Sequence, residues 1–263
     1  FFRTFFNELS YDTLLSRNVN FRKNDQTGIY NYKDPALYEL RLNRSEDAQI
    51  FKDIGSENRF LPMQTHDVLC NMKNWEMVYD RYLMISLWRN PVELLYSWWK
   101  RNWGERFFND DPSNFTLKVS MNGNFIPWYA HNMSSNWTDF NAVERCYILM
   151  EYLIEQAVLG YNKSFNKQKI HLVKFETLCS ESENEIHRMS RFLNAMPDAN
   201  MNQMLSNARL PRENTPEQID RKEKELKEVL SAKLFARLCE LQTDYIDNFY
   251  GLTLQKGAEN VYV

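Results

Sequence analysis

The chain has 263 residues, of which 43% are apolar and 25% charged, with a net charge of −3. That length makes one large domain or two small ones, and it buries roughly 70–75% of the unfolded surface without needing staples. The near-neutral balance argues against a bulk nucleic-acid binder, which carries a basic excess. No run approaches the ~18 apolar residues of a membrane-spanning helix, and 7 Gly with 8 Pro rule out a collagen-like or linker-dominated chain.

Phe2, Phe5, Phe6 and Leu9 share a stripe, so the chain opens on an amphipathic helix. Because residue 1 is Phe rather than Met, the natural start is expected to lie upstream. Residues 18–58 are polar and turn-rich, with a helical piece over Pro35–Arg41. Arg59–Gln64 is a short strand candidate that leads into Thr65-His66-Asp67. Arg81–Arg89, RYLMISLWR, is a nearly continuous apolar run of the kind a buried parallel strand shows. Asn90-Pro91 ends it, and Pro91 suits the first turn of a helix continued by Val92, Leu95, Tyr96 and Trp99.

Residues 104–141 carry Asn, Pro and aromatics without a steady period and read as an irregular insertion or acceptor lid. A helix follows over Ala142–Leu159, a strand over Lys169–Phe175 and a helix over Ser182–Leu193. Thr215-Pro216-Glu217-Gln218 opens a further helical region with a capping box, running to about Tyr250. The tail 255–263 has no clear period. Strands alternating with helices predict an α/β fold of three layers, with a mostly parallel central sheet flanked by helices, and a single domain over 1–254.

Cys70, Cys146, Cys179 and Cys239 are widely spaced, with no C-x-x-C and no H-E-x-x-H. No metal site is expected, and the thiols read as buried. Asn-x-Ser/Thr sequons stand at Asn43, Asn114, Asn132, Asn136 and Asn162. Chance predicts about 2.8, so the excess does not decide for a secretory lumen. Cytoplasm is slightly favoured over the Golgi lumen.

Ligands of parallel sheets sit beyond the carboxyl ends of the strands. That rule singles out His66, the Arg89–Ser97 segment and Phe175-Glu176. Arg89 ends an apolar strand, and Ser97 lies eight residues on, about two helical turns into the next element. A guanidinium with a hydroxyl makes a phosphate clamp; the plainer alternative is a surface salt bridge and a polar helix face. Lys100, Arg101 and Arg106 either face an anionic ligand or form a solvated surface. Trp103, Phe107, Phe108, Trp128, Tyr129 and Trp137 suit sugar rings, phenols or a hydrophobic lid, or simply a local core.

The segment RYLMISLWRNPVELLYSWW, Arg81–Trp99, resembles the 3′-phosphate-binding segment of the sulfotransferase family: an apolar strand, Arg-Asn/Asp-Pro, then a helix with Ser eight residues after the Arg. The resemblance implies that Arg89 and Ser97 hold the 3′-phosphate of 3′-phosphoadenosine 5′-phosphosulfate (PAPS). FLPMQTHDV, Phe60–Val68, is similar to the family's strand ending in Lys-Thr-His, with Gln64 in place of the Lys and His66 at the position of the catalytic base. IHLVKFETLCSESENEIHRMSRFL, Ile170–Leu193, resembles the strand ending in Tyr-Glu-Asp, with Phe175 where the family has its adenine-side Tyr. Glu176 is read as orienting neighbouring backbone.

On this resemblance the family's P-loop-like phosphosulfate loop would precede residue 1, and no G-x-x-x-x-G-K-[ST] occurs among the 263 residues. The chain is then expected to be incomplete for activity. Arg209 and Arg212, in RLPR, are candidates for further guanidinium contacts to the 3′-phosphate, or a solvated basic turn. The implied function is sulfuryl transfer from PAPS to a hydroxyl or amine on a small-molecule or carbohydrate acceptor, with no metal and no nucleic-acid partner. A non-catalytic relative on the same fold, and a P-loop kinase or NTPase, are the alternatives.

Overall fold

The structure, a computed structural model, describes residues 66–107, 118–121, 124–133, 137–197, 199–212 and 215–252. The helices expected over Phe1–Leu9 and Pro35–Arg41, the strand expected over Arg59–Gln64 and the tail 255–263 lie outside the described residues. The chain divides into two compact units, 1–66 and 67–263, and every described residue except His66 belongs to the second.

A 3-10 turn over Leu69–Asn71 leads into helix α1, Met72–Val78. Strand β1, Met84–Trp88, runs directly into helix α2, Pro91–Lys100. Two short strands follow, β2 (Lys118–Met121) and β3 (Asn124–Pro127), and then the long helix α3, Ala142–Lys163. Strand β4, Ile170–Lys174, passes without a loop into α4, Phe175–Ser180, which is succeeded by α5, Ser182–Phe192. The chain closes with α6 (Met201–Asn207), α7 (Pro216–Val229) and α8 (Ala232–Asp247) and a 3-10 turn over Phe249–Gly251.

This is a helix-rich α/β arrangement with a small parallel sheet. β1 and β4 pair in parallel, with Met84 opposite Ile170 and Trp88 opposite Lys174. The shared register brings both carboxyl ends, and the helices that start there, to one side. β4 is buried along most of its length, but Ile85 and Leu87 of β1 are 39% and 55% exposed. The expectation that β1 is buried on both faces is therefore corrected: it alternates. With apolar residues on both faces and the one polar position, Ser86, on the more covered one, the run carries no sign of which face is buried.

Residues 104–141, read as irregular, contain the antiparallel pair β2–β3, with Lys118 opposite Pro127 and Met121 opposite Asn124. Four-residue strands are too short to show a period. The segment also supplies core: Ile126 and Ala130 are fully buried, Trp137 nearly so, and Tyr129 is edge-on to Trp137 at 6.2 Å. Trp103 stacks on Trp98 at 5.1 Å. The side chains of Arg106 and Phe107, and all of Phe108, lie outside the described residues.

Helix α3 is the post on which the rest packs. The Leu69–Asn71 turn, α1, α2 and the Trp103–Phe107 turn all lie against it. Its N-terminus is a capping box: the Asn141 side-chain oxygen accepts from Val143 N and Glu144 N at 3.0 Å, and Glu144 Oε2 accepts from Asn141 N at 3.1 Å. The same two side chains hold the α7–α8 junction, with Asn141 Nδ2 donating to Val229 O at 2.8 Å and Ser231 N donating to Glu144 Oε1 at 3.1 Å. There the expected single helical region divides. Leu230 is buried and extended (φ −89°, ψ 146°), so α7 ends and α8 starts afresh. The Thr215 capping box with Gln218 at N3 and Pro216 at N1 is present as read from the sequence.

The four cysteines are unpaired; Cys146 and Cys179 are buried, Cys70 and Cys239 half-buried. Burial pushes the thiols of Cys70 and Cys146 up to about 12, which leaves them unreactive at neutral pH. Among the described residues no helix is long and apolar enough to cross a membrane.

Gly160 on α3 faces the Leu69–Asn71 turn so closely that a Cβ would stand 1.8 Å from Leu69 O. Helix propensity favours Ala over Gly by about 1 kcal/mol, but a backbone carbonyl cannot swing aside as a side chain can. Gly160→Ala is expected to lower stability by about 2 kcal/mol or more. Urea unfolding that finds the variant equal to or more stable than the parent rejects this packing.

Candidate functional site

The site is built where the two parallel strands end. Asn90 caps α2: its side-chain oxygen accepts from Val92 N at 2.9 Å and Glu93 N at 3.4 Å, and Pro91 takes the position where a missing N–H costs nothing. Arg89 is thereby held between a strand and a helix N-terminus. On the neighbouring strand, Phe175 starts α4 with no loop between.

These two residues meet. The Arg89 guanidinium lies over the Phe175 ring, 4.8 Å from its centre, a cation–π contact that orients the charge. Arg89 Nη2 also pairs with Glu93 Oε2 at 3.1 Å. Its Nε is buried and, among the described residues, has no hydrogen-bond partner. Arginine carries five N–H donors and no acceptor, so this donor still requires an oxygen. Ser97 is half-buried and lies four residues beyond Glu93, on the same face of α2.

Glu93 is a carboxylate with only 2% of its side chain exposed. Its second oxygen, Oε1, takes Lys222 Nζ at 2.5 Å from helix α7. Reading along the chain misses this residue. The four-residue step from Arg89 to Glu93 is a signal for the first pair, but nothing local announces Lys222.

Behind the site stands Glu176. Its Oε1 accepts from Asn90 N at 2.8 Å and its Oε2 from the Tyr245 hydroxyl at 2.5 Å. Glu176 thus does hold neighbouring backbone, that of the β1–α2 turn. Burial first, and then the adjacent Glu176 carboxylate, push the Tyr245 phenol far up, so it remains a donor at all ordinary pH. Tyr245 sits in an aromatic group with Phe249 (5.5 Å) and Tyr250 (5.6 Å), and both of those contact Trp88 at 5.8 Å. Lys174 caps this group, with Nζ 4.7 Å from the Phe249 ring centre.

The remaining sequence candidates are placed as follows. His66 is exposed and is the last residue of the first unit. Arg209 is exposed with a left-handed φ of 54°. Arg212 is exposed, and its backbone N donates to Cys179 O at 2.8 Å, tying the RLPR turn to the end of α4. The structure brings together Arg89 and Phe175, and anchors the turn of Arg209 and Arg212 to the helix that Phe175 begins. The basic group at Lys100 is a surface network: Lys100 Nζ pairs with Glu225 at 2.9 Å and lies 3.8 Å from the Trp99 ring centre.

The chain is thus an α/β protein with a cation seated on a ring beyond the carboxyl ends of two parallel strands, where ligands of such sheets bind. The sequence matches the family described as the sulfotransferase domain over residues 13–225, most of the chain. The protein belongs to that family. No curated protein and no solved structure matches it.

The Glu176 contacts carry a stability expectation. Tyr245→Phe leaves one oxygen of the half-buried carboxylate without its donor and should cost about 1–3 kcal/mol. Glu176→Ala also strands the Asn90 N–H and should cost at least as much. Equilibrium urea unfolding at pH 7 measures both; a Tyr245→Phe protein as stable as the parent contradicts the assignment.

Proposed function

We propose that this protein transfers a sulfuryl group from PAPS to a hydroxyl, or an amine, of a small-molecule or carbohydrate acceptor. The observation that supports this best is Arg89: a guanidinium seated on Phe175, with a buried donor that has no partner among the described residues, at a strand end in a chain of the sulfotransferase family. The residues fit a phosphate there in charge and in donor chemistry.

In this reading Arg89 and Ser97 hold the 3′-phosphate, Phe175 packs beside the adenine, and Arg209 and Arg212 lend further positive charge from their turn. PAPS, when bound, supplies an activated sulfuryl group. His66 takes the proton from the acceptor hydroxyl as its oxygen bonds to sulfur; the bond from sulfur to the 5′-phosphate oxygen breaks, leaving 3′-phosphoadenosine 5′-phosphate (PAP). A general base of this kind contributes about 10²–10⁴-fold. No metal takes part. The three-layer sheet, the single domain over 1–254 and an acceptor lid over 104–141 belong to the same proposal.

Two measurements on this protein test it. Calorimetry should find micromolar PAP binding that Arg89→Ala weakens by about 10²-fold or more, as loss of a charge-assisted contact predicts. Binding that is absent, or unchanged in the variant, overturns the anchor. His66→Ala should lower turnover by about 10²-fold or more while leaving PAP affinity nearly unchanged; wild-type turnover in that variant rejects the base.

A further inference from the structure

Arg89 poses an electrostatic difficulty. Glu93, 3.1 Å from its Nη2, cancels much of the attraction that a phosphate would feel. A buried carboxylate beside an anion site is a poor arrangement unless another cation neutralises it. Lys222 is placed to do that: it reaches from α7 to the other Glu93 oxygen at 2.5 Å, is 15% exposed itself, and lies 5.9 Å from the Tyr96 ring centre. Arg89, Glu93 and Lys222 together carry one net positive charge, and without Lys222 they carry none.

We propose that Lys222 is a positioning residue of the phosphate site: by occupying Glu93 it leaves the Arg89 charge available to the 3′-phosphate, and so sets the preference for nucleotides that carry one. This rests on the reading of Arg89 as the 3′-phosphate anchor. Lys222 acts through Glu93 and need not touch the ligand. The role differs from simple bracing of α7 on α2, because bracing would affect all nucleotides alike and would not depend on the sign of residue 93.

The experiment compares PAP with adenosine 5′-phosphate, which lacks the 3′-phosphate, by calorimetry on the same protein. Wild type is expected to prefer PAP, and Arg89→Ala to lose that preference. Lys222→Met should reduce the preference about 10-fold or more, with adenosine 5′-phosphate affinity little changed. The double variant Lys222→Met/Glu93→Gln removes both charges, restores the net positive charge and should regain the preference to within about threefold. If Lys222→Met does not fold, the double variant still decides, since a folded double variant without the preference overturns the proposal. A Lys222→Met protein that keeps the preference, or weakens both nucleotides equally, also overturns it while Arg89 stands. A wild type with no preference, indistinguishable from Arg89→Ala, instead removes the Arg89 reading and this proposal with it.

Discussion

Glu176 joins three parts of the chain that are far apart in sequence. One carboxylate oxygen receives the backbone N–H of Asn90 and the other the hydroxyl of Tyr245. The β1–α2 turn, the β4–α4 turn and the last long helix therefore share one acceptor group. Such a group is stabilising only when its lone pairs are met, and costly when they are not. The position of Arg89 depends on this, because the turn that follows it is the one Glu176 holds.

The site is defined as much by what neutralises charge as by what supplies it. Glu93 is nearly inaccessible, a placement that carboxylates tolerate only when paired. It meets a cation on each oxygen, one from its own helix turn and one from α7. The Arg89 guanidinium is then steered from two directions, by the ring beneath it and by the carboxylate beside it, and its Nε is the donor without a partner among the described residues.

The aromatic content, 17 Phe, 14 Tyr and 7 Trp, finds a structural use in two clusters. One, of Trp88, Tyr245, Phe249 and Tyr250, packs under the end of β1, and its burial holds Phe249 and Tyr250 at left-handed φ values of 46° and 57°. The other, of Trp128, Tyr129, Trp137 and Tyr152, gives the segment before α3 a core of its own. Trp128, at 43% exposure, is the member of the second cluster most open to solvent.

Local chemistry was legible directly. Pro91 after Asn90 marked a helix start, Thr215-Pro216-Glu217-Gln218 marked another, and the apolar runs before Arg89 and Phe175 marked strands, because caps and short strands depend on neighbours within a few residues. The spacing of Arg89 and Ser97 carried the family in the same way. The hairpin β2–β3 was not legible, since four-residue strands show no period, nor was the break at Leu230, which depends on Glu144 meeting Ser231 N across the fold. Lys222 against Glu93 and Tyr245 against Glu176 were equally hidden, with partners 129 and 69 residues apart. The sequence by itself determined the strand–helix turns at Arg89 and Phe175, the capped helix starts and the cation that follows β1. Only the tertiary structure decided what lies on either side of that cation, because long-range pairing of charges is set by packing and leaves no periodic trace along the chain.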